Sequence, residues 1–102
     1  MKKIINHKKY DTETAETLFK WGNCLPRNDF GWMEETLYRK KTGEFFLHGA
    51  GGPMSLHASR CGKSLVSGEH IVPLTEEEAR NWAEDKETPV DTYESIFGEV
   101  PE

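Results

Sequence analysis

Four histidines, His7, His48, His57 and His70, are the side chains best suited to move protons near neutral pH. Metal-independent RNA cleavage needs one group to take the 2′-hydroxyl proton, a second to protonate the leaving oxygen, and a cation on the phosphate. His48 and His57, with Arg60 or Lys63 close in sequence, are the cluster whose types meet that demand. The competing reading makes them surface or hydrogen-bonded histidines, the commoner fate of such residues. His48, His57, Cys61 and His70 have the types of a zinc site, but their spacing matches no common zinc module. Gly62-Lys63-Ser64 resembles the end of a phosphate loop, yet His57 stands where that motif needs its first glycine. Lys2, Lys3, Lys8 and Lys9 flank Tyr10, a pattern that can track a nucleic-acid backbone and stack a base. Lysines on a terminal hairpin also simply keep an edge strand soluble. These residues therefore assign no catalytic group, no metal and no cofactor.

Charge gives the stronger signal. From Glu76 to Glu102 the chain carries ten acidic residues against two basic ones, Arg80 and Lys86, a formal −8. Residues 1–75 carry eleven basic and eight acidic residues, a formal +3, and the whole chain is −5. Such a polarity attracts a basic partner to the acidic end and repels nucleic acid there. Glu76, Glu77, Glu84, Asp85, Glu87, Asp91 and Glu94 are the candidate partner-binding residues. The competing reading is that they are solvated helix faces.

The elements that must position these residues follow from spacing. Lys2 to Tyr10 reads as a small hairpin, or a strand with a tight bend, turning at Asn6-His7. A helix is expected from Asp11 or Thr12 to Gly22: Asp11 can cap it, and Ala15, Leu18, Phe19 and Gly22 recur at helical spacing. Trp32–Arg39 and Glu44–His48 read as a β-hairpin around Lys40-Lys41-Thr42-Gly43, and the glycines at 49, 51 and 52 as a tight turn that ends it. A helical turn is expected around Met54–Arg60, then a strand at Glu69–Leu74 whose Pro73 puts it at a sheet edge. Thr75-Glu76-Glu77-Glu78 is a capping box for a helix burying Ala79, Trp82 and Ala83. A last helix is expected from Asp91, with Glu94 completing a second capping box and Gly98 stopping it; residues 99–102 read as frayed. The fold class is α+β: a small antiparallel sheet (central hairpin about 32–48, strand about 69–74) packed by an N-terminal helix and two short C-terminal helices.

A chain of 102 residues fits a single domain, 1–102. No apolar run reaches the length of a membrane span, and Met1-Lys2-Lys3 opens no signal peptide. Cys24 and Cys61 read as buried thiols of a cytoplasmic protein. An exposed hairpin edge permits pairing between copies without requiring it, so the oligomeric state stays open.

Three runs together resemble a known family. They are Lys3-Ile4-Ile5-Asn6 with Lys8 to Ala15; Arg27-Asn28-Asp29-Phe30 with Glu34 to Tyr38; and Pro73 to Ala79 with Trp82-Ala83-Glu84. The family comprises small proteins of phages, plasmids and conjugative elements of Gram-positive bacteria, and includes anti-CRISPR inhibitors of type II-A Cas9. The resemblance covers most of the chain and is best over Lys9 to Ala15. The family's opening turn is usually Asn-Gly, where this chain has Asn6-His7. The resemblance implies a Cas9 inhibitor that binds Cas9, apo or guide-bound, and blocks guide RNA loading or use, or one that leads to shortening of the guide RNA. The same opening also occurs in mobile-element proteins with no assigned role. The acidic segment favours binding, since Cas9 holds guide and heteroduplex in positively charged channels.

Overall fold

The computed structural model describes residues 1–102. In chain order the elements are β1 (Lys2–Ile5), β2 (Lys8–Asp11), β3 (Glu16–Gly22), β4 (Met33–Arg39) and β5 (Phe45–Gly51). There follow β6 (Ser59–Cys61), β7 (Ser64–Val66), β8 (Gly68–Leu74), α1 (Glu76–Asp85) and α2 (Val90–Phe97). The frame is a four-stranded sheet in the order β3-β4-β5-β8, antiparallel throughout. Two separate hairpins, β1-β2 and β6-β7, attach to it. The α+β class expected from the sequence is present.

The expected N-terminal helix is not. Residues 16–22 form β3, an edge strand of the sheet. Asp11 Oδ1 does accept from the Glu13 amide at 2.9 Å, as a cap would, and Ala15 N–H reaches the Asp11 carbonyl at 3.2 Å. That single turn then gives way to strand. The helical spacing has a specific origin: the register with β4 shifts between Thr17 and Phe19, a bulge. The bulge lets Leu18 join the helix-side core while Phe19 meets Trp82 edge-on, so neighbouring residues share a face. An i, i+1 pair on one face imitates the stripe of a helix.

The central hairpin follows expectation. Glu35 lies opposite Gly49 and Leu37 opposite Leu47, and β5 continues to Gly51, beyond the expected turn. Both sheet faces are covered, and β4 carries polar Glu35 and Thr36 among its buried residues, which is why neither of its faces reads as apolar. On one side α1 and α2 pack over Leu37, Phe45 and Leu47 through Ala79 and Ile96. On the other, the β1-β2 hairpin lays Tyr10 on Phe46 and Ile71. Asn6 and His7 both have positive φ (51° and 66°), so the Asn6-His7 turn meets the primed hairpin geometry without glycine.

The expected helical turn around Met54–Arg60 is replaced by successive turns and the β6-β7 hairpin. Gly62, at φ +62°, turns that hairpin, so Gly62-Lys63-Ser64 is turn chemistry with no helix behind it. Pro73 lies on β8, an edge strand, as expected.

The capping box of α1 is complete: Thr75 Oγ1 accepts from the Glu78 amide at 3.1 Å, and Glu78 Oε1 accepts from the Thr75 amide at 2.9 Å. Thr75→Ala is expected to cost about 1 kcal/mol, read as a lower urea midpoint with an unchanged slope. The second capping box does not form. α2 starts at Val90 behind Pro89, with no side-chain cap. Glu94 Oε2 accepts instead from the Val100 amide at 3.0 Å, which ties back the tail expected to be frayed. Cys24 and Cys61 are exposed rather than buried, because Cys24 stands in the loop after β3 and Cys61 on the exposed β6-β7 hairpin, both outside the two core clusters.

Candidate functional site

The acidic candidates lie on α1, α2 and the turn between them. Glu76, Glu77, Glu84, Asp85, Glu87 and Asp91 are exposed and Glu94 is half-buried. The helices run back on each other over the short 86–89 connection, which gathers Glu84, Asp85, Glu87 and Asp91 at one end. Glu76 and Glu77 stand at the opposite end of α1, about 12–15 Å along its axis. Seven carboxylates therefore form one larger group and one outlying pair, not a single patch.

What the two basic residues of this region do decides how that acid is felt. Arg80 donates to Glu76 Oε2 at 3.3 Å and to the Phe97 carbonyl at 3.1 Å, with its guanidinium 4.9 Å from the Phe97 ring centre. Lys86 turns inward: its Nζ lies 3.5 Å from Glu35 Oε1, 3.3 Å from Asp85 Oδ2 and 4.0 Å from the Trp21 ring centre. Glu77, Glu87 and Asp91 are left with no basic partner. Glu84 accepts from the Tyr93 hydroxyl at 2.9 Å, a neutral donor that leaves its charge in place.

No protein-family model, curated protein or solved structure matches the chain. The run of best resemblance, Lys9 to Ala15, has a structural task here: Tyr10 and Asp11 are buried, Tyr10 in the hairpin-side core and Asp11 closing the following turn. Tyr10 meets Phe46 edge-on at 5.5 Å and carries Lys40 Nζ at 3.6 Å from its ring centre, so it has no face left to stack a base. Lys8 pairs with Glu44 at 3.0 Å, fastening the hairpin to the sheet.

The histidines considered for shared chemistry are not brought together. His48 projects from the hairpin side of β5, into a polar groove of about 580 Å³ that also holds Lys20, Trp32, Glu34 and Glu69. There it bonds Glu69 at 2.5 Å. His57 lies on the helix side, buried over Gly49. Adjacent strand residues point to opposite faces, so the sheet itself stands between the two imidazoles. For the same reason His48 cannot share an ion with His57 and His70, whose rings lie 6.0 Å apart. Arg60 and Lys63 are on the exposed β6-β7 hairpin, and His7 is exposed in the first turn.

One cluster escaped the sequence reading. Glu35 is buried on the helix side of β4, in a cross-strand row with Trp21, Gly49 and His70. Its Oε1 accepts from Trp82 Nε1–H at 3.0 Å; its Oε2 accepts from His57 Nε2–H at 2.7 Å. Lys86 supplies the countercharge. Burial pushes the Glu35 carboxyl up, but the Trp82 and His57 hydrogen bonds and the Lys86 charge outweigh it and hold the group below its ordinary value of 4.5. Every oxygen is engaged, so the carboxylate joins sheet, loop and helix rather than waiting for a proton. His70 Nε2–H completes the arrangement by donating to the His57 carbonyl at 3.1 Å. Two signals were legible: Trp82 on α1 and Lys86, its C-cap, stand i, i+4, and Gly49 interrupts a strand pattern. A Cβ at Gly49 would collide with the His57 ring. Gly49→Ala is accordingly expected to cost about 1–3 kcal/mol in chemical denaturation, with amide exchange faster through residues 55–58.

Proposed function

We propose that the protein is a non-enzymatic inhibitor that binds a type II-A Cas9 and interferes with guide RNA loading or use. The carboxylates around the α1–α2 turn engage a basic surface of the enzyme. The observation that carries this reading is that Lys86 turns inward onto Glu35 and Trp21, while Arg80 is held against Glu76 and the Phe97 ring. This leaves Glu77, Glu87 and Asp91, in the segment from Glu76 to Glu102, without a basic partner. Such a surface suits the positively charged channels in which Cas9 holds its guide and heteroduplex. Opposite charge speeds encounter and makes it sensitive to salt. The choice of Cas9 among basic partners comes from the resemblance of the Lys3–Ala15, Arg27–Tyr38 and Pro73–Glu84 runs to the family that includes Cas9 inhibitors. On this reading the guide RNA is displaced indirectly, by occupation of its path.

The test is an order-of-addition cleavage assay, with guide RNA length read on the same gel. Inhibition only when the protein meets Cas9 before the guide, with the RNA intact, is the expected result. Shortened RNA would replace this reading with a ribonuclease one. No inhibition in either order, against several type II-A enzymes, would leave a mobile-element interaction protein with another partner.

A further inference from the structure

We infer that the groove between the α1–α2 turn and the C-terminal tail seats an apolar side chain from a lysine- or arginine-flanked segment of a protein partner. This rests on the basic-partner reading above and names the anchor that reading lacks. Val90, Tyr93 and Val100 line the groove, of about 480 Å³, with Glu84 and Glu94 among the residues around it. Val90 is 71% exposed and Val100 48%, so two β-branched apolar side chains are spent on solvent side by side.

The walls are held in place. Glu94 Oε2 accepts from the Val100 amide at 3.0 Å, pinning the tail against α2. Tyr93 donates its hydroxyl proton to Glu84 Oε2 at 2.9 Å, fixing that carboxylate across the α1–α2 turn. Each of these carboxylates has a second oxygen free to accept from an ammonium or guanidinium. Thr88, also in the lining, has a hydroxyl oxygen shut off from solvent with no hydrogen-bond partner.

Charge selects the occupant. A second copy would bring the same acidic region against itself, and nucleic acid or an anionic membrane surface would be repelled. A segment with cations around an aliphatic or aromatic side chain satisfies rim and floor together, in the manner of an anchor residue in a pocket.

The experiment uses the full chain, ¹⁵N-labelled, and two synthetic peptides of equal charge. One is Lys-Arg-Gly-Leu-Phe-Gly-Arg-Lys amide; in the other, Gly-Gly replaces the central Leu-Phe. The apolar peptide is expected to bind about tenfold or more tighter, shifting the amide resonances of Thr88, Tyr93 and Val100. A variant carrying Val90→Ser and Val100→Ser, both at exposed positions, should lose that preference while binding the glycine peptide as before. Equal affinity of the wild-type protein for the two peptides would overturn the inference and leave the basic-partner reading standing. A preference that survives in the double variant would overturn it too, by placing the anchor elsewhere. Binding of neither peptide would overturn the reading on which the inference rests.

Discussion

Glu35→Gln is expected to lower the free energy of unfolding by about 3–5 kcal/mol, the usual result of removing one member of a buried ionic cluster. Against the roughly 5–15 kcal/mol that holds a domain together, this is a large share. The amide can still accept from Trp82, but it presents an N–H to His57 Nε2–H and leaves Lys86 without its buried countercharge. The loss should spread, because this one side chain joins β4 to the 52–58 loop through His57, to α1 through Trp82, and to the C-cap of α1 through Lys86. Urea unfolding gives the magnitude, and amide exchange should quicken in the loop and in the last turn of α1. A change below about 1 kcal/mol would show that the cluster is incidental to stability.

The same substitution sets a pH dependence. Folded Glu35 titrates below its ordinary 4.5, the value it regains on unfolding. Between the two values the unfolded chain binds a proton that the native protein does not, so acid favours unfolding. The contribution is complete above about 4.5, shrinks as pH falls, and is gone below the folded value. In Glu35→Gln that part of the acid limb should flatten. An unchanged limb would assign acid sensitivity to other carboxylates.

Under the proposed function, neutralising Glu77, Glu84, Asp85 and Asp91 together, as Gln, Gln, Asn and Asn, is expected to slow association with Cas9 on the order of tenfold to a hundredfold. The effect should sit mainly in the association rate and fade as salt rises. The four residues are exposed, so the fold should survive with small stability changes. Glu84→Gln still accepts from Tyr93, which keeps the helix pair joined. Stopped-flow binding at two ionic strengths reads the rate, and a urea titration reads the fold. Unchanged inhibition by a folded quadruple variant would sink the acidic-surface mechanism.

Local chemistry by itself determined several features. The Asn6-His7 turn, the central hairpin over about 32–48, the edge position of Pro73 and the capping box at Thr75 each depend on a few neighbouring residues. So does the acidity of the segment from Glu76 to Glu102, which is a matter of composition. Only the tertiary structure decided the rest. Residues 16–22 became a strand because pairing with β4 outweighed one favourable turn after Asp11, and the bulge at Leu18 made that strand look helical. Glu94 has no capping role because α2 starts at Val90, which carries Glu94 past the first turn, and it accepts from the Val100 amide instead. The separation of His48 from His57 is a property of the sheet, since nine residues of sequence say nothing about which face a returning loop will cover. The Glu35 cluster draws on residues 35, 57, 82 and 86, and no short window of sequence contains their meeting. A buried charge becomes tolerable only when its partners arrive from distant elements, and that arrival is what packing, not local preference, provides.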